Sequence, residues 1–202
     1  MDSKLTLVNP GDPQTIQLVF SKNSTLNTSI LVNGQVRYIV STTDRQAQKT
    51  SITDAITKNV WVSVQRRTFL SDKIVFVNRG GAEQKFSNIM KNHKLDDGYT
   101  AHMMHTDLGD LYWKVHKIHR LALFSVSDPV EPVAYREQLS HPINTFALTI
   151  RKEYESLLDY IVPTFLYLEQ GLRGGEKQAD IADGMIAENR TLLGHYVNTS
   201  TV

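Results

Sequence analysis

Four of the seven histidines, His102, His105, His116 and His119, fall within eighteen residues. Neutral imidazoles gathered in one place can ligate a metal or move a proton near neutral pH. Residues three apart on a strand point to opposite faces, so neither His102 with His105 nor His116 with His119 shares one. A two-residue turn at Leu108-Gly109 pairs Asp107 with Asp110, His105 with Tyr112 and His102 with Val115, and no two histidines then oppose each other. A one-residue shift, as a bulge produces, sets His102 against His116 with Cβ atoms about 5 Å apart. Tyr99 and Tyr112 are then the nearest further polar groups by sequence, and these four residues form the catalytic set of an enzyme reading. In the plain turn, His102 lies with Met104 and Trp113 on the core face, while His105, Tyr112, Lys114 and His116 share the other. A buried His102 is then held neutral by desolvation. The spacing favours histidines on a partly exposed hairpin, with no metal and no cofactor.

Other catalytic patterns are weaker. Asp96-Asp97 and Glu153/Glu155 read as a solvated loop and a solvated helix start. No Gly-x-Ser-x-Gly elbow occurs. Gly171 to Gly175 lacks the lysine and preceding strand of a phosphate loop. A cysteine count of 0 excludes a thiol nucleophile, a redox pair and a disulfide scaffold. The remaining chemical signal is basic. Arg66, Arg67, Lys73, Arg79 and Lys85, with Lys91 and Lys94 beyond, run through the middle of the chain. They suit an anionic ligand such as a lipid headgroup; the competing reading is scattered, solvated cations. Lys+Arg is 22 against 21 Asp+Glu, a net charge of +1, which argues against a nucleic-acid partner.

The elements that must position these residues read mostly in period two over the first 150 positions. The 202 residues are 41% hydrophobic and 21% charged, ordinary for one domain with an appendage. Leu5 and Leu7, Ile16 to Phe20, and Val60 to Val64 alternate with polar neighbours. Asn33-Gly34 between two apolar runs is a strong hairpin signal. About twelve short strands spaced by turns argue a mainly β sandwich or barrel. Ser87 to Lys91 suggests a short helix with Ser87 as N-cap. Residues 153–172 read as a helix apolar nearly all round, which must be enclosed. Leu158, Ile161 and Phe165 are therefore expected to be buried. Pro163 interrupts its hydrogen bonding, and Gly171, Gly174 and Gly175 are expected to end it. Residues 1–175 then form a β-barrel around that helix. Residues 176–202 form an amphipathic helical extension and a frayed tail, and residues 176–197 offer a surface to a protein partner.

The start of the chain carries an acid at once and does not read as a signal peptide. The longest apolar run, Tyr160 to Leu168, is about half a bilayer span. Sequons at Asn23, Asn27, Asn189 and Asn198 then read as Ser/Thr-rich loops and tail, and a cytoplasmic location is expected.

Five stretches stand out in order: Arg37-Tyr38-Ile39-Val40-Ser41-Thr42, Arg66-Arg67 before Ser71 to Phe76, Lys85 to Met90, Tyr112-Trp113-Lys114, and Leu157 to Glu169. Together they resemble the DUF6593 family of basidiomycete fungi. The resemblance covers residues 5–173, and its evidence is the order of the stretches. It implies a twelve-stranded barrel around a central helix, akin to the tubby C-terminal and LURP-one-like barrels, and no established catalytic residue. Tubby relatives bind phosphoinositides and scramblase relatives act at membranes, an analogy of fold alone. The expected function is a non-enzymatic, ligand- or partner-binding barrel that recognises an anionic lipid headgroup or a small hydrophobic ligand. The alternative is a small-molecule enzyme with a pocket at the barrel mouth.

Overall fold

The computed structural model describes residues 14–43, 48–95, 98, 100–140 and 145–197, with side chains to residue 178. They fall into two units, one reaching Phe165 and one running from Leu166. Strand formation follows the alternation of the sequence. The first arm is β1 (Thr15–Phe20), β2 (Thr28–Val32), β3 (Gln35–Thr42), β4 (Lys49–Asp54), β5 (Val60–Gln65), β6 (Lys73–Phe76) and β7 (Glu83–Lys85). One helical turn, α1 (Phe86–Ile89), leads to the second arm. That arm is β8 (Lys91–Lys94), β9 (Thr100–Thr106), β10 (Gly109–His116), β11 (Arg120–Ser125), β12 (Pro132–Leu139) and β13 (Thr145–Arg151).

Among the described residues these thirteen strands form one antiparallel sheet, ordered β7-β6-β5-β4-β3-β2-β1-β13-β12-β11-β10-β9-β8. The mainly β class is as the alternation predicts. The sheet is not closed by hydrogen bonds, because β7 and β8 remain as its edges. Residues 86–90 connect those edges, which limits their separation to roughly 20 Å. The helical turn begins at Phe86, with Lys85 as an N-cap that makes no side-chain bond, and not at Ser87. Asn33 (φ 50°) and Gly34 (φ 76°) form the expected hairpin turn between β2 and β3.

Alternate residues of β1 to β6, and consecutive residues of β11 and β13, make the core. Leu18, Phe20, Ile30, Ile74, Trp113, Leu123 and Phe146 are fully buried. Phe20 stacks on Phe146 at 4.3 Å between ring centroids, and Phe165 lies 5.9 Å from both Phe20 and Trp113. Phe165 comes from the helix that follows β13. Residues Lys152–Leu157 first make a tight 3-10 segment, and α2 (Leu158–Val197) continues from it. The helix therefore starts later than residue 153 and does not stop at 172. A glycine ends a helix by taking a left-handed conformation, and Gly171, Gly174 and Gly175 do not take it. Each costs about 1 kcal/mol relative to alanine, which a long helix tolerates. Up to Phe165, α2 buries Ile161 and Val162 completely; Leu158 is only half-buried, and the neighbouring Leu157 is enclosed instead. No helix among the described residues is long and apolar enough to cross a membrane.

Phe165→Ala removes a fully enclosed ring and is expected to cost about 3–5 kcal/mol in urea unfolding. Leu158→Ala, at a half-exposed site, is expected to cost distinctly less. Equal losses would contradict this placement of the helix.

Candidate functional site

The connection between β9 and β10 fixes where the histidines go. Thr106 pairs with Gly109, so Asp107 and Leu108 are the turn residues, not Leu108 and Gly109. A turn centred on Leu108-Gly109 needs positive φ at both positions, which leucine resists. Gly109 alone is left-handed, at φ 103°, and closes the turn. Thr106 Oγ1 donates to the Gly109 carbonyl at 2.7 Å and accepts the Leu108 N–H at 3.2 Å. The ladder shifts by two residues from the expected one, setting His102 opposite Trp113 and His105 opposite Asp110. His116 pairs instead with Arg120 on β11. His102 and His116 are thus not brought together, and the paired-imidazole site does not form. Burial holds the His102 pKa below its ordinary value. Tyr112 is buried on the opposite face with Ala101, Ala122 and Phe124, its ring 5.7 Å from that of Phe124. Tyr99 lies outside the described residues, as do Asp96, Asp97, Leu5 and Leu7.

A different histidine pair is formed. The His116 and His119 rings stack at 5.1 Å, and the His119 ring lies 4.3 Å from Tyr135 of β12. Arg120, at φ 60°, makes this possible: the Leu121 N–H reaches the His119 carbonyl at 2.6 Å and folds the chain back on itself. Burial, and next the neighbouring His116, push the His119 pKa down. His119 and Tyr135 line a depression of about 510 Å³ together with Glu131, Pro132, Arg151, Lys152 and Glu153. Arg151 is engaged there by Glu153 and by Asp128 at 3.5 Å.

The basic residues separate into two groups. Arg79 is structural. Its guanidinium makes a two-pronged ion pair with the buried Asp159 of α2 (Nη2 to Oδ1, 3.1 Å), donates to the Tyr160 hydroxyl at 3.1 Å and covers that ring at 4.4 Å. The Asp159 hydrogen bond raises the Arg79 pKa. This cation is not available to a ligand in the way its sequence position suggested. Lys73 and Lys85 do come together. They are direct cross-strand partners, Lys73 also faces Gln65, and Gln65 faces Lys49. Their strand neighbours Val64 and Ile74 are buried, so this row lies on the outward face. Lys73 also pairs with Glu83. Arg66 and Arg67 follow β5 directly and stand beside the row.

The sequence reading missed Lys49, Asp159 and the His119–Tyr135 contact. Lys49 needs the register of β4 with β5. Asp159 carried a signal, as a lone acid early in an apolar helix.

Fold and site define an all-antiparallel β domain with a long C-terminal helix and an outward cationic row. The chain belongs to DUF6593, a family of unknown function, whose model matches residues 23–174. Its structure is similar to the X-ray structure of a protein from Arabidopsis thaliana at 14% identity. That match covers 76% of this chain and 92% of the other, with a TM-score of 0.41. No curated protein matches the sequence.

His102 and His119 both titrate below the 6.5 of a free imidazole. As the pH falls through that value, the unfolded chain takes up protons that the folded chain does not, so stability falls. The urea midpoint is expected to drop between about pH 7 and pH 5.5, and to drop less in a His102→Gln/His119→Gln variant. An identical slope in the variant would contradict the half-buried placement.

Proposed function

We propose that this domain is a non-enzymatic binding module that recognises an anionic lipid headgroup. The observation that carries this reading is the outward row Lys49–Gln65–Lys73–Lys85, continued by Arg66 and Arg67. Lysines placed opposite each other on a sheet repel. A multivalent anion relieves that repulsion. Glu83 does so in part at Lys73. The resemblance to tubby C-terminal and LURP-one-like barrels, fungal kinship and a cytoplasmic setting belong to this reading as analogy. Residues 176–197, the end of α2, remain an accessory docking helix for a protein partner in it.

The enzyme reading loses the pair on which it was built. The depression at His119 and Tyr135 gives it a second place, where a neutral imidazole is set to accept a proton. The two readings make different demands on the same variants.

Arg66→Glu/Arg67→Glu/Lys85→Glu spares Lys73, which holds Glu83. At about 1 kcal/mol per cation, it is expected to weaken sedimentation with phosphatidylserine vesicles about a hundredfold. His119→Gln is expected to leave binding unchanged. Binding that survives the triple change would end this proposal.

A further inference from the structure

We infer that the loop between β5 and β6 is a membrane wedge, which places Phe69 and Leu70 among the acyl chains of an anionic bilayer while the neighbouring cations hold its headgroups. Phe69 is 95% exposed and Leu70 is 67% exposed, side by side at the tip. Single exposed apolar residues are common. An adjacent Phe-Leu pair on a hydrogen-bonded base, flanked in the chain by Arg66, Arg67 and Lys73, is a narrower thing. The inference rests on the headgroup reading above and adds the bilayer interior to it.

The base of the loop is anchored. The Arg66 N–H donates to the Gln48 carbonyl at 2.6 Å, and the Arg67 N–H donates to Asp72 Oδ1 at 2.7 Å. The Asp72 carbonyl in turn accepts the Phe86 N–H at 2.8 Å. The one acid between Arg66 and Lys73 is thereby turned into the loop base. The base that carries the tip is set before contact, which lowers the ordering cost of docking. Charge falls in the right place. Gln65 and Lys73 are the strand residues that flank the loop, so Lys49, Lys73 and Lys85 sit at the level from which the tip emerges. Arg and Lys reach headgroups with their charged ends while their stems lie along apolar surface. A cationic collar behind an apolar tip is the chemistry of interfacial anchoring, in which electrostatic attraction and apolar burial add. Ile56 is also prominent, at 71% exposure, but the β4–β5 turn that carries it leaves the sheet at the opposite end. It therefore serves as an internal control.

The test uses the full chain and phosphatidylcholine vesicles holding about 30% phosphatidylserine. Phe69→Trp fluorescence, read against the wild-type background of Trp61 and Trp113, is expected to shift to the blue. Brominated acyl chains are expected to quench it. Ile56→Trp is expected to show neither effect. Phe69→Ser/Leu70→Ser is expected to lose about tenfold in partitioning at an unchanged thermal midpoint. Vesicle binding with Phe69→Trp unquenched and the double-serine variant unimpaired would overturn the wedge and leave the cationic row standing. Quenching that survives charge reversal at Arg66, Arg67 and Lys85 supports the wedge and overturns the headgroup reading. No partitioning of the wild-type chain, with Phe69→Trp unquenched, overturns both.

Discussion

The first two turns of α2 carry two polar side chains into the core, and the sheet must answer both. Asp159 is a buried carboxylate, and an unpaired charge there costs several kcal/mol. Arg79, on the turn after β6, supplies the counter-charge, and Asn78 adds a hydrogen bond at 3.3 Å. One turn further on, Thr164 accepts the indole N–H of Trp113 at 3.0 Å and donates to the Tyr160 carbonyl at 2.6 Å. Its hydroxyl is thus used in both directions, and the Trp113 donor is satisfied inside the core. β6 and β10 stand near opposite ends of the strand order. A helix held at both points fixes the two arms of an open sheet relative to each other. Apolar packing around Phe165 gives the energy, but these two polar contacts choose the helix rotation.

The open edges follow from the same arrangement. β7 has three residues and β8 has four, all exposed, with Glu83, Lys85, Lys91 and Lys94 among them. Short, charged edges resist pairing with other chains. Between them, Phe86 and Met90 are both buried, and the Met90 N–H closes the turn on the Phe86 carbonyl at 3.0 Å. One helical turn with two anchors therefore connects the edges where a ladder would otherwise run. The charges that blunt β7 also complete the cationic row, so edge protection and the proposed headgroup recognition draw on the same lysine at position 85.

What could be read from the sequence depended on whether the deciding interaction was local. Asn33-Gly34 was legible because both residues tolerate positive φ and the turn type follows. Asp107-Leu108-Gly109 holds a glycine too, but leucine ahead of it displaces the turn by one position and the ladder by two. That displacement parted His102 from His116. The glycines at 171, 174 and 175 resembled a helix end, yet a permissive residue does not compel a left-handed one. Arg79 looked like one cation among several, because its partner lies 80 residues away. The alternation of β1 to β6 survived all of this, since each of those strands needed only its own buried face.

The same distinction bears on how an almost neutral chain would recognise the anion proposed above. With 22 cations against 21 anions, the whole-molecule field offers little steering. Recognition must then work at short range. Adjacent strands lie about 4.8 Å apart, so the row from Lys49 to Lys85 spans roughly 15 Å. That is within about two Debye lengths at physiological salt, while acids on distant strands are screened. The sheet thus converts lysines scattered over 37 positions of sequence into one local charge. Glu83 neutralises part of it at Lys73, and the two arginines that open the β5–β6 loop extend it toward Phe69 and Leu70. The net charge of the chain is therefore a poor guide to the partner proposed for it. The cross-strand register, which sets which cations become neighbours, is the better one.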